Sequence, residues 1–367
     1  MKPLRLILDA RMRYHGGIGT YISKLQQALQ SSVEFEHCCV LGDTSQAPPL
    51  TNGNFCYQDY HPPIYGLREQ LQLPSNDHQA NLWHAPQFNL PWRWMGRLVV
   101  TIHDLLHVRM PKMARTPLAY PYAAAMLRLA ASRAGKVIAV SKATADDFCQ
   151  WTGCSPDRVQ VIPHGVDSLF FEQASIEQKE QVLGLHGLKK PYFLWISAIR
   201  PHKDPLTALR AFSDFQKRYR TNYQLVMVGK APSWYRKAHQ EASQLGLNGS
   251  VLWVESATAE QLACFYQGAS ALIMPSLLEG FGLPALEAMA SGCPVIASDI
   301  PALREVVQDA GLLLPAREID AFSKEMYNVI SHDDLHQTLA TKGKTIARAY
   351  SWERSAKEHV AVYRSLL

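Results

Sequence analysis

The feature that most constrains this chain is the alternation of short apolar runs and glycine-marked helices, seen most sharply between Met274 and Asp299. The run Ala271–Pro275 is short enough to be a buried strand of a parallel sheet. Beyond it Pro284 suits the first helical position, Gly292 and Pro294 mark the stop, and Val295–Ser298 reads as the next strand. Strand, glycine loop, helix N-terminus and strand together build an anion site. First-turn N–H groups have no intrahelical partner there, and the helix dipole favours negative charge. Two carboxylates complicate that site, Glu279 before the helix and Glu287 inside it. Beside a phosphate they would repel it, so they are expected to face other groups, such as the hydroxyls of a sugar or ribose. An ionised carboxylate only accepts hydrogen bonds and suits paired hydroxyl donors. The plainer alternative makes Glu279 a turn cap and Glu287 a solvated helix residue.

The chain has 367 residues, enough for two domains of ordinary size, and 47% of them are apolar, so large cores can form. Its net charge of +5 is spread over Arg11/Arg13, Lys189/Lys190 and Lys217/Arg218/Arg220, whereas a nucleic-acid binder concentrates charge in one stripe. No nucleic-acid partner is expected. A diphosphate-binding cleft and an anionic membrane surface suit the excess equally well. Seven cysteines, an odd count without a C-x-x-C pair, fit buried thiols better than a disulfide framework or a zinc site. Lys2 and Arg5 interrupt the N-terminus too early for a signal peptide, and Leu118–Val140 carries Arg128, Arg133 and Lys136, which disqualify it as a span. The expectation is a cytoplasmic protein, soluble or peripheral at the inner face of the plasma membrane.

In chain order, Leu4–Leu8 reads as a first strand. It leads through a loop containing Gly16, Gly17 and Gly19 to a helix with Ile18, Ile22, Leu25 and Leu29 on one face. These glycines do not form G-x-G-x-x-G, which speaks against a dinucleotide dehydrogenase. Residues 42–63, rich in Gly, Pro, Asn and Thr, read as irregular. Trp92, Arg93, Trp94 and Arg97 combine interfacial aromatics with basic charge, a pattern that suits a membrane surface or a packed surface loop. Strand Leu98–Ile102 then places His103 and Asp104 at its C-terminal end, where open α/β sheets bind ligands. An Ala-rich helix-prone segment, 117–135, precedes strand Val137–Val140. A polar stretch, 168–190, reads as a linker. After it come strand Tyr192–Ser197 and a helix capped by Asp204 with Pro205 in its first turn. Strands Gln224–Gly229 and Val251–Val254, a capping box at Thr258/Gln261 and a last strand at Gly311–Leu314 complete the pattern.

The segment Pro275–Ser298 resembles the nucleotide-sugar loop of retaining, family-4-type (group 1) glycosyltransferases, with Glu279 and Glu287 at that family's E-x7-E positions. Thr101–Leu105, Val159–Asp167, the Arg200–Lys203 segment and Tyr350–Ala356 are also similar to family segments. The resemblance implies an α/β protein of the GT-B class, two Rossmann-like domains with parallel sheets facing a central cleft. It divides the chain into 1–167, an acceptor-binding domain; 168–190, a linker; 191–345, a nucleotide-sugar-binding domain; and 346–367, a closing helix that packs back on the first domain.

The implied reaction moves a hexose from a nucleoside diphosphate sugar to a hydroxyl of a glycan or lipid-linked acceptor, with retention; front-face attack and a covalent step both stay open. The Thr101–Leu105 type resembles bacterial polysaccharide mannosyltransferases, which favours GDP-mannose, with UDP-glucose next. By the same resemblance His103, Glu279 and Lys203 are the expected catalytic residues, with Asp104 organising His103. Gly16, Gly17, Arg200, Lys203, Phe281, Gly282, Leu283 and Glu287 are expected to bind the donor. Lys203 matches well. Arg200 matches less cleanly, because many relatives carry the arginine elsewhere in this stretch. No Asp-x-Asp motif is present, so no metal or other cofactor is expected. The alternatives are a nucleotide-sugar epimerase of the same fold and a non-catalytic sugar-nucleotide sensor.

Overall fold

The structure is a computed structural model that describes residues 2–45, 47–74, 80–113, 116, 118–188, 191–230 and 234–367. Contacts divide the chain into two units, residues 1–165 with 351–367, and residues 166–350.

In the first unit the strands are β1 (Leu4–Asp9), β2 (Phe35–Gly42), β3 (Phe55–Asp59), β4 (Leu82–Ala85), β5 (Arg97–Ile102), β6 (Lys136–Ala139) and β7 (Val159–Val161). They form one parallel sheet in the order β3-β2-β1-β4-β5-β6-β7. The order reverses between β1 and β4, which makes the loops after those strands a topological switch point. Helices cover both faces, so the central strands are almost wholly apolar. On one face Tyr21, Ile22, Leu25 and Leu29 of helix Gly16–Gln30 pack with Leu6, Leu8, Trp352, Val360 and Tyr363. Trp83, Trp94, Val100, Leu127 and Phe148 fill the other. Helix Trp352–Ser365 belongs to this unit through that first core. Its entry passes Gly165 so closely that a Cβ there would lie 2.2 Å from the Trp352 nitrogen, a contact only glycine permits.

The second unit holds β8 (Tyr192–Ile196), β9 (Gln224–Val228), β10 (Val251–Val254), β11 (Leu272–Met274), β12 (Val295–Ser298) and β13 (Gly311–Leu314). Their order is β10-β9-β8-β11-β12-β13, again parallel, with the switch point between β8 and β11. Phe193, Trp195, Phe212, Phe215, Met227 and Phe322 dominate one core of this unit.

Three expectations need correction. Within 42–63, residues Phe55–Asp59 form the edge strand β3; its outer positions are half-buried, so it lacks the apolar run that marks a central strand. Gly16 and Gly17 open the first helix rather than preceding it. Residues 168–188, read as a linker for want of a pattern, hold a 3-10 turn, Ser168–Phe171, and a helix, Ile176–Leu185, started by a Ser175/Gln178 capping box. That helix reads as polar because little beyond Leu183 is buried. Lys189 and Lys190 lie outside the described residues, as does Pro117 before helix Ala119–Arg133.

Candidate active site

The second unit gathers most of the expected site residues at its switch point. After β8 the chain enters a 3-10 turn, Pro201–Lys203, with Arg200 exposed at its N-cap. Asp204 follows with φ +45 and caps helix Pro205–Tyr219 through the Thr207 N–H at 3.3 Å. After β11, the Leu277 N–H donates to the His202 carbonyl at 2.7 Å, clamping the two switch-point loops together. This brings Lys203 Nζ to 2.6 Å from Glu279 Oε2. Ser276 Oγ donates to the other carboxylate oxygen at 2.8 Å, so Glu279 is held from both sides.

Phe281, Gly282 and Leu283 lead into helix Leu283–Ser291. Gly282 is its N-cap at φ +110, and a Cβ there would meet Leu303 at 2.6 Å, so the turn demands glycine. One turn later Glu287 points to Tyr266, whose hydroxyl donates to Oε2 at 3.0 Å. Burial is the chief reason that the Glu287 carboxyl is raised to about 7; the Tyr266 hydrogen bond opposes the rise and Asp167 adds to it. Residual exposure of Glu287 leaves part of it reachable by a ligand.

In the first unit His103 follows β5 and is buried. Its Nε2 lies 2.9 Å from the Pro86 carbonyl oxygen. A carbonyl can only accept, so Nε2 carries the proton and Nδ1 carries the lone pair. Burial lowers the His103 pKa, against the opposing pull of the Pro86 hydrogen bond and Asp104, and favours the neutral ring. Asp104 instead accepts from the Leu106 N–H at 2.9 Å, so Pro86 rather than Asp104 orients His103. Gly16 and Gly17 lie at the start of helix Gly16–Gln30, where a Cβ on either would meet nothing within 4 Å.

A directional hydrogen-bond chain backs His103. The His359 Nδ1–H must donate to the Ser355 carbonyl at 2.7 Å, which leaves Nε2 to accept from the Tyr21 hydroxyl at 2.7 Å. Tyr21 then accepts from Thr101 at 2.9 Å, Thr101 from His84 Nε2 at 2.8 Å, and His84 Nδ1 from Tyr363 at 2.8 Å. The Tyr21 ring lies edge-on to His103 at 4.9 Å, with His164 beside both. Tyr266, Ser276, Pro86, Tyr21 and His164 were not singled out from the sequence. Ser276, three residues before Glu279, is the one that local spacing could have flagged.

Within each unit, then, ligand-capable side chains converge on the C-terminal ends of a doubly wound parallel sheet. Two such units in one chain are the architecture of the GT-B class. The model of glycosyl transferases group 1 matches residues 177–346, and that of glycosyltransferase family 4 matches residues 15–168. The chain belongs to this family, the group 1, family 4 glycosyltransferases. It is 26% identical to O-antigen chain mannosyltransferase B of Escherichia coli, over 95% of this chain and 96% of that one. It is 28% identical to a D-inositol 3-phosphate glycosyltransferase of Acidothermus cellulolyticus, over 75% of this chain but 63% of that longer protein. Among solved structures it superposes on a sucrose-phosphate synthase from Thermosynechococcus elongatus with TM-score 0.79 at 20% identity, covering 100% and 99% of the two chains. It matches Anabaena HepE in complex with UDP and glucose with TM-score 0.78 at 18% identity, covering 99% and 100%. At these identities the structural likeness establishes the fold. Among the described residues no helix is long and apolar enough to cross a membrane.

Proposed function

We propose that this glycosyltransferase moves a hexose, with retention, from a nucleoside diphosphate sugar to a hydroxyl of a glycan or lipid-linked acceptor, without a metal. The observation that carries the reading is the Lys203–Glu279 pair at 2.6 Å, beside the helix that bears Glu287. Without donor the pair is internally neutral. An incoming diphosphate competes for the ammonium of Lys203, with Arg200 and the Phe281–Leu283 backbone as further donors. Glu279, still oriented by Ser276, is then released to face the sugar, where positive charge develops as the diphosphate departs. Glu287 accepts the ribose hydroxyls, and Gly16 and Gly17 offer backbone N–H groups to the phosphates. His103, neutral with its lone pair on Nδ1, accepts a sugar hydroxyl rather than acting as a cation.

GDP-mannose is the favoured donor, supported by the mannosyltransferase relative that this chain spans almost end to end. UDP-glucose is the second choice, supported by the UDP and glucose bound to HepE. A thermal-shift screen of nucleotide sugars tests the donor, since a ligand at a hundred times its Kd adds roughly 2.7 kcal/mol. Donor-dependent glycoside formation without free epimer is the expected product result. Accumulation of an epimerised nucleotide sugar overturns the transferase assignment.

A further inference from the structure

The switch point of the first unit carries a second constellation that the donor chemistry does not use. Arg11, just past β1, has a largely covered side chain that reaches Asp9 Oδ2 at 2.5 Å and Glu69 Oε2 at 3.2 Å. Burial opposes the charge of Arg11, but its two carboxylate partners more than compensate and raise its pKa. Glu69 also takes the Tyr122 hydroxyl and, through Oε1 at 3.1 Å, the backbone N–H of Tyr65.

Tyr65 is the residue that this buried network holds. Its φ of +64 is a left-handed conformation that a bulky side chain rarely adopts, and the hydrogen bond to Glu69 pins it there. The ring is fixed as well. Phe88 and Tyr122 lie against it, each at 5.8 Å, and Gln87 Nε2 donates to its hydroxyl at 3.1 Å. Yet Tyr65 remains 42% exposed. Gln87 and Phe88 directly follow Pro86, the residue that orients His103, so the ring belongs to the same loop system as the catalytic candidate.

A rigidly held, partly exposed aromatic ring at a topological switch point is a platform for an apolar ligand face such as that of a pyranose ring. Beneath it the cation Arg11 is already matched by two carboxylates, Asp9 and Glu69. We propose that Tyr65, backed by Gln87 and the Arg11–Asp9–Glu69 network, is the acceptor-recognition surface and selects a neutral saccharide over a phosphate-bearing acceptor. This rests on the glycosyltransferase reading above.

The test is calorimetric binding of mannotriose, maltotriose and inositol 3-phosphate to the full-length protein, to Tyr65→Gly and to Tyr65→Phe. Glycine accepts the left-handed backbone, so the fold is retained, and phenylalanine keeps the platform. Binding of a neutral trisaccharide is expected, weakened roughly tenfold or more by Tyr65→Gly and nearly unchanged by Tyr65→Phe. Donor-induced thermal shifts, measured on the same three proteins, should be equal. Loss of the donor shift from the parent protein indicts the transferase reading instead. With the donor shift intact, three outcomes overturn the proposal: binding of inositol 3-phosphate alone, binding of no probe, or trisaccharide binding that Tyr65→Gly leaves intact.

Discussion

Replacing Glu287 by glutamine should strengthen the fold and weaken donor binding at the same time. The carboxyl is raised from 4.5 to about 7, chiefly by burial. A group whose pKa is higher in the folded state adds stability that is complete below the unfolded value, near 4.5, and is lost as the pH rises through 7. Roughly 2.5 pH units at 1.36 kcal/mol each put the cost of the buried charge at about 3 kcal/mol above pH 8. Glutamine carries no charge and its amide oxygen can still accept from Tyr266. Glu287→Gln should therefore raise Tm by several degrees at pH 8, and by little at pH 5.

Donor binding should move the other way. If the ribose hydroxyls require the ionised carboxylate, the apparent donor KM scales as one plus the ratio of protonated to ionised enzyme. With a midpoint near 7, KM at pH 6 should be about tenfold that at pH 8. The glutamine variant should lose this dependence and bind the donor roughly 10- to 100-fold more weakly, the range for a hydrogen bond to a charged group. Because the ribose is unchanged by reaction, kcat should hardly move. The assays are melting curves and steady-state kinetics at saturating acceptor between pH 6 and 8. A variant that melts lower at pH 8, or keeps the parent pH dependence of KM, refutes the reasoning.

Glu279→Gln should lower kcat on the order of 10²-fold with little change in donor KM, and a variant altered only in KM contradicts the role assigned to this carboxylate. Activity should survive EDTA, and loss that Mg²⁺ or Mn²⁺ restores counts against metal-independent transfer. Tyr21→Phe leaves His359 without its donor and Thr101 without its acceptor, so it should cost about 1–3 kcal/mol in denaturant melts, and an unchanged midpoint dissolves the hydrogen-bond chain. Trp92, Arg93, Met95 and Arg97 are exposed, whereas Trp94 is buried against Trp83. If the membrane-surface reading of this pattern holds, co-sedimentation with anionic vesicles falls for Trp92→Ala and Arg93→Glu, and equal retention on neutral vesicles leaves the packed-loop reading.

The loop and helix around Gly282 were legible because their signals are local. Pro284, Gly282 and Gly292 act within one helix, and the strands flanking them are short apolar runs with nothing polar to confuse the period. Lys203 and Glu279 are 76 residues apart, and only the crossover topology brings them into contact. The partners that tune these residues carry no comparable signal. Tyr266 reaches Glu287 across 21 residues and Tyr21 reaches His359 across 338, distances over which periodicity and capping say nothing. The helix at Ile176–Leu185 and the edge strand β3 escaped notice for a related reason: each buries too few side chains to print a pattern.

The same groups set a direction in pH for the two units. His84, His164, His103 and His359 all have lowered pKa values, with burial the first cause of each, and His359 is held down to about 4. For a group depressed in the folded state, the unfolded chain takes up its proton near 6.5 while the native one resists. Stability present above 6.5 is therefore lost as the pH falls, at up to about 1.4 kcal/mol per pH unit for each such ring. Glu287 behaves oppositely and adds stability in acid, while His239 in the same unit runs with the other histidines. Acid should thus weaken the unit that holds His103 first, even as it silences Glu287 by protonation. Folding of one unit and the donor binding proposed for the other should both favour neutral to mildly alkaline conditions, although the groups responsible carry opposite stability signs. Activity lost between pH 7 and 6 should be recovered with excess donor, because it reflects Glu287. Loss at lower pH should not be recovered, because there the histidine-lined unit itself gives way.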